Sequence, residues 1–328
     1  MRRWIVPLAL VAAATIGPAA TANDSAAEMA AGGLVLRQNR DIDMVSEDLY
    51  VSQDEIRVRY VFRNRSPRDV RTIVAFPLPD MDLANEPEGD VSWPGEFRTR
   101  VDGRAVRMSV ERRAVLNGTD HSALLRSLNV PISGHEDVSP MYRAVDDLPA
   151  AAQDRLAQVG LIELGNDPSA GRRMASPRWT VRESWYWEQV FPAGRDIVVE
   201  HRYRPGAGGT VTSALMSPEY RDGEGAREWI ARYCIEPSVL AAIDRMTARR
   251  VLNIDEVWLS YILTTGANWR SPIADFRLVV DKGRPENLVS FCGEGVRRIS
   301  PTQFEMRRRN WRPDRDLNVL ILRPSGAE

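Results

Sequence analysis

Apolar and polar residues alternate with period two over most of this chain, the pattern of strands with one buried face. Ile56, Val58, Tyr60 and Phe62 alternate with Arg57, Arg59 and Arg63, and Val70, Thr72, Val74 and Phe76 follow after a polar turn. Phe97, Thr99 and Val101 lead into Asp102-Gly103, a strong signal for a two-residue hairpin, and Val106, Met108 and Val110 continue beyond it. Residues 34–112 thus read as an antiparallel meander. Val58, Tyr60, Phe62, Val74 and Phe76 share a parity that places them in one core.

The period then changes. Residues 117–165 read as a helical insertion: Asp120 caps a segment carrying Leu124, Leu125 and Leu128. Leu148, Ala152, Leu156 and Val159 follow at helical spacing, with Pro149 at the first helical position and Gly160 ending the helix. Residues 166–177 read as a polar loop. Alternation resumes with Trp179, Val181, Trp185, Trp187 and Phe191 on one face, then Ile197, Val199, His201 and Tyr203 after a turn. A glycine-rich loop, 205–210, precedes a helical segment near 224–249 whose Val239, Leu240, Ile243 and Met246 share a face. The rest is again β, through 257–263, 276–280, 288–292, 304–308 and 317–322. The expected fold is mainly β, an antiparallel β-sandwich with helical insertions. Residues 23–328 form a single unit, or two β subregions divided near residue 210.

Compartment is written at the start. Arg2 and Arg3 precede an apolar run from Trp4 to Ile16, Gly17-Pro18 breaks it, and Ala20-Thr21-Ala22 offers small residues to signal peptidase. Residues 1–22 read as a signal peptide cleaved between Ala22 and Asn23, so the mature protein is periplasmic or extracellular. No later stretch has the length of a membrane span. Cleavage removes two of 44 basic residues against 45 acidic ones, which argues against a nucleic-acid binder. Export changes the meaning of Cys234 and Cys292, the two cysteines of the chain: in an oxidising compartment they are expected to form a disulfide.

Candidate chemistry is sparse. There is no G-x-S-x-G elbow, and His135-Glu136-Asp137 lacks the second histidine of a zinc-protease helix. His121, His135 and His201 are far apart, and Gly206-Ala207-Gly208-Gly209-Thr210 lacks the lysine of a phosphate loop. The parity of Trp179, Trp185 and Trp187 places them in a core, leaving Tyr186 as the surface aromatic. An acidic loop, with Asp80, Asp82 and Glu86 foremost, offers hard oxygen ligands for calcium. Glu183 and Glu188 lie on opposite faces of one strand and cannot form a glycosidase pair together.

Spaced motifs across the chain carry a family resemblance. They include Asn23-Asp24-Ser25-Ala26-Ala27-Glu28, Ser46-Glu47-Asp48-Leu49, Tyr60-Val61-Phe62-Arg63-Asn64 and Phe76-Pro77-Leu78-Pro79-Asp80. Tyr186-Trp187-Glu188-Gln189, Phe191-Pro192-Ala193-Gly194, Asn268-Trp269, Ser290-Phe291-Cys292 and Pro313-Asp314-Arg315-Asp316-Leu317 continue the pattern. The chain resembles the domain of unknown function 4424 family of secreted bacterial proteins, which implies export and one continuous unit but no chemistry. Residues 50–112 also resemble the vault-protein/inter-alpha-trypsin module, a β-sandwich associated with protein interaction. The leading expectation is a non-enzymatic exported protein, without cofactor, that binds another protein or a component of the cell envelope. The alternative is a carboxylate-dependent hydrolase or carbohydrate-active protein built around residues 183–201.

Overall fold

The computed structural model describes residues 24–30, 33–84, 95–133, 139–167 and 172–325. The signal peptide with Ala22 and Asn23, the calcium candidate Glu86, and His135 lie outside the described residues. The protein is mainly β, as the alternation predicts, with several antiparallel sheets and few helices.

The largest sheet has eight strands, in the order Arg297–Arg298, Gln303–Trp311, Ile273–Asp281, Ile42–Val51, Ile56–Asn64, Asp196–Arg204, Gly95–Val101 and Arg104–Val106. Every pair is antiparallel except Ile42–Val51 with Ile273–Asp281, which runs parallel. A seven-stranded sheet is built around Thr180–Phe191, flanked by Val70–Pro77 and Ser109–Leu116, with Ser25–Ala30 beyond Val70–Pro77. A four-stranded sheet comprises Ala207–Thr210, Asn253–Tyr261, Leu317–Ser325 and Leu288–Phe291. The three sheets meet in one core. Tyr60, Phe62 and Val199 come from the first, Val74, Phe76, Trp187 and Phe191 from the second, and Val257, Leu259, Tyr261 and Val319 from the third. The five residues expected to share a core, Val58, Tyr60, Phe62, Val74 and Phe76, do so and are at most 2 % exposed.

Residues 34–112 are not a meander. Ile42–Val51 and Ile56–Asn64 form a hairpin, but Val70–Pro77 crosses to the other sheet and Gly95–Val101 returns to pair with Asp196–Arg204. Period two reports that one face is buried, not which sheet buries it. The Asp102-Gly103 turn does close a hairpin: both residues have positive φ, 48° and 77°, as a type I′ turn requires.

The helical insertion holds Ser122–Ser127, Ser139–Asp146 and Ala150–Val159. They pack with Trp179 and Val181 in a second core, and Trp179 Nε1 donates to the Ile132 carbonyl at 2.9 Å. Gly160 ends the third helix at φ 84°, as expected, whereas Pro149 sits one position early, as its cap. The expected loop at 166–177 belongs to a hairpin instead, Ile162–Asp167 with Arg172–Pro177. Its Gly and Pro content hides the apolar side chains of Ile162, Leu164 and Ala175 that join the second core. The glycine-rich 207–210 is likewise a strand. A Cβ on Gly208 would lie 2.8 Å from the Trp258 ring and one on Gly209 2.5 Å from a backbone oxygen, so the glycines serve close packing. Glu224–Tyr233 and Pro237–Ala248 cover the four-stranded sheet through Tyr233, Ile243, Leu320 and Leu322. Cys234, at the end of the first of these helices, is disulfide-bonded to Cys292 beyond Leu288–Phe291.

Candidate functional site

Alternation in the eight-stranded sheet sends Ile56, Val58, Tyr60, Val199, His201 and Tyr203 inward. It therefore sends their sequence neighbours outward. On Gly95–Val101, Ile56–Asn64 and Asp196–Arg204 those neighbours are Arg98 and Arg100, Arg57 and Arg59, and Glu200 and Arg202. Together with Asp48, Tyr50 and Arg277 on the adjoining strands they line a groove of about 600 Å³. Six arginines face two carboxylates among its lining side chains.

Strand register orders these charges into two rows. Arg98, Arg202 and Arg57 stand opposite one another on three successive strands. Like charges directly opposite are destabilising unless they are neutralised. Glu55 pairs with both Arg57 and Arg202, and Glu96 with Arg98 at 3.3 Å. The second row alternates in sign: Arg100, Glu200, Arg59, Asp48, Arg277. Asp48 and Arg277 pair at 3.0 Å, and Arg277 also binds Glu305 at 2.8 Å. Hydrogen bonds from Arg307 and Arg277 hold the Glu305 carboxyl down at about 2. Arg59, Arg100 and Glu200 make no ion pair or side-chain hydrogen bond among the described residues. Their polar ends are open to a ligand.

Directly behind this face lies a buried polar node. His201 Nε2 is 3.0 Å from Asp24 Oδ1, and His201 Nδ1 is 2.8 Å from the Thr99 hydroxyl. Trp269 Nε1 donates to the Asp24 carbonyl at 2.6 Å, and Asn268 Nδ2 to Ser25 Oγ at 3.0 Å. Asp24 Oδ2 is buried without a hydrogen-bond partner among the described residues. Burial pushes the Asp24 carboxyl above its ordinary value, against the opposing pull of His201. Tyr60 and Tyr261 share a 2.7 Å hydroxyl contact nearby, and burial raises both phenols well above the ordinary range. Hydroxyl, imidazole and carboxylate are the group types of a nucleophilic triad, but Thr99, His201 and Asp24 are 3 %, 2 % and 0 % exposed. All three lie in the interior of the protein. The node instead ties the N-terminal strand and two groove strands to the Asn268–Trp269 turn.

The residues singled out from sequence lie elsewhere. Asp80 pairs with Arg182 at 3.0 Å, and Asp82 accepts from the Ala84 amide at 3.0 Å. Among the described residues no three His, Cys, Asp or Glu side chains gather as a metal would need. Glu183 is held by Arg112 at 2.6 Å and by Trp185 Nε1 at 2.8 Å, while Glu188 faces solvent on the other side of the strand. Tyr186 is not a free surface aromatic: it packs with Ala27, Leu34 and Ala75 under the N-terminal hairpin. Trp179 and Trp187 are core residues, and Trp185 stacks on Phe97 at 5.1 Å. The groove arginines were visible only as the polar half of the alternation.

The profile of the domain of unknown function 4424 matches residues 22–320. The chain belongs to this family. The family description assigns no activity, so the DUF4424 fold has to be read from its own chemistry. No curated protein matches the sequence. Among solved structures the chain is similar to a candidate nutrient-binding protein from Legionella pneumophila, at 14 % identity and TM-score 0.45, covering 92 % of this chain and 70 % of that one. It is also similar to an M1 zinc metallopeptidase from Deinococcus radiodurans, at 9 % identity and TM-score 0.25, covering 87 % of this chain and 43 % of that one.

Proposed function

We propose that this DUF4424 protein is a non-enzymatic binding protein, periplasmic or extracellular, working as a single unit, that takes an anionic ligand in the arginine-lined groove. The carrying observation is that, of the six arginines lining the groove, Arg59 and Arg100 have no ion-pair or side-chain hydrogen-bond partner among the described residues. A guanidinium presents its donors in a fixed fork suited to carboxylate and phosphate, and a concave cationic surface concentrates anions. Residues 50–112, which resemble the vault-protein/inter-alpha-trypsin module, supply four of the six arginines. The disulfide supports the exported compartment. No helix among the described residues is long and apolar enough to cross a membrane.

Calorimetric titration of the mature protein with anionic oligomers, polyphosphate and oligogalacturonate among them, tests the reading. Replacing Arg59 and Arg100 together by Ala is expected to weaken binding tenfold or more, about 1.4 kcal/mol, and to flatten its salt dependence. The melting temperature should hold, because neither side chain makes an ion pair or side-chain hydrogen bond among the described residues. Unchanged affinity in the double variant would remove the groove as the site.

A further inference from the structure

Two rows of unlike character lie side by side on the groove face. Across the strands, neighbours are about 4.8 Å apart, and the two rows are separated by two residues along the strand, about 7 Å. The first row, Arg98, Arg202 and Arg57, is already paired with Glu96 and Glu55. The second places a carboxylate between cations, Arg100, Glu200 and Arg59. Opposite charges standing opposite each other on neighbouring strands ordinarily pair. Here all three remain apart, with Glu200 half-buried between two exposed arginines. A site for bare anions gains nothing from a carboxylate at its centre, because the carboxylate repels the ligand. A carboxylate accepts hydrogen bonds and donates none, so its partner on a ligand is a hydrogen-bond donor such as a hydroxyl.

We infer that the ligand is an acidic saccharide chain, with its anionic groups on Arg59 and Arg100 and a hydroxyl on Glu200 between them. This rests on the groove being the binding site. Arg59 and Arg100 donate to the anionic groups, while Glu200 accepts from a hydroxyl hydrogen. Ligands with charge but no hydroxyls satisfy Arg59 and Arg100 and leave Glu200 without a partner.

The test compares three probes on the intact mature protein: hexagalacturonate, the neutral galactose oligomer of equal length, and inorganic polyphosphate. Hexagalacturonate is expected to bind at least tenfold more tightly than the neutral oligomer. Glu200→Gln is expected to weaken hexagalacturonate about tenfold while leaving polyphosphate unchanged or tighter. Arg59→Ala with Arg100→Ala should weaken both charged probes. If Glu200→Gln tightens hexagalacturonate as well, the groove is a plain anion site and the saccharide assignment falls while the binding reading stands. Wild-type protein that prefers polyphosphate to hexagalacturonate overturns the assignment without any variant. Charged probes indifferent to every arginine substitution would sink both.

Discussion

Asp24 shows how much one residue's surroundings decide. Its sequence neighbours are small and polar, and nothing there announces a buried acid. The fold takes its carboxylate to zero exposure against His201 and leaves one oxygen without a partner among the described residues. Burial holds this carboxyl above its ordinary 3.8, so the folded chain keeps the proton over a range where the unfolded chain has lost it. The stability from that proton is fully present below 3.8 and lost as pH rises through the raised folded value. Asp24→Asn removes the ionisation. Denaturant unfolding from about pH 4 to about pH 7 should therefore shift in favour of the variant relative to wild type. A difference independent of pH would show that Asp24 ionises as in a free chain. His201 was legible as an inward residue, from its parity with Ile197, Val199 and Tyr203; its partners were not, since Asp24 lies 177 positions away.

At the scale of elements, the strands with clean alternation were readable and those without it were not. Ile56–Asn64 alternates buried and open along its length, whereas its hairpin partner Ile42–Val51 was not singled out by alternation. Ala207–Thr210 carries no apolar pattern, because its glycines answer to the Trp258 ring and a neighbouring backbone rather than to solvent. The cysteine pairing was readable from compartment and count, and it fastens Glu224–Tyr233 to the strand Leu288–Phe291. Its 58-residue separation corresponds to about 4 kcal/mol in the chain-entropy picture. Replacing both cysteines by Ala is expected to lower the unfolding free energy by up to that amount. Amide exchange should rise first in Glu224–Tyr233. Unchanged stability after full reduction would mean the bridge constrains nothing that the third core does not already hold.

For the whole molecule, the parallel pair Ile42–Val51 with Ile273–Asp281 matters most. It places strands from both ends of the chain at the centre of one sheet, whose inner face is then covered by the other two sheets. Tyr60 and Tyr261 touch across that junction at 2.7 Å. Neither end can bury its apolar face alone, so denaturant unfolding should be one cooperative transition, coincident by fluorescence and far-UV circular dichroism. Two resolved transitions would show that the parts before and after residue 210 fold independently.

The sequence alone determined what depends on local chemistry: strand content, the Asp102-Gly103 turn, the Gly160 cap, the shared core of Tyr60, Phe62 and Phe76, and the partnership of two lone cysteines. Family membership was likewise written in its spaced motifs. Tertiary structure alone decided which strand lies beside which. That register carries Arg57, Arg98 and Arg202 into one row, and Glu200 between Arg59 and Arg100. Alternation sorts side chains between two faces, but it contains no term for strand order. The pairing of strands distant in sequence is settled by burial of a common core, and the groove is a by-product of that choice.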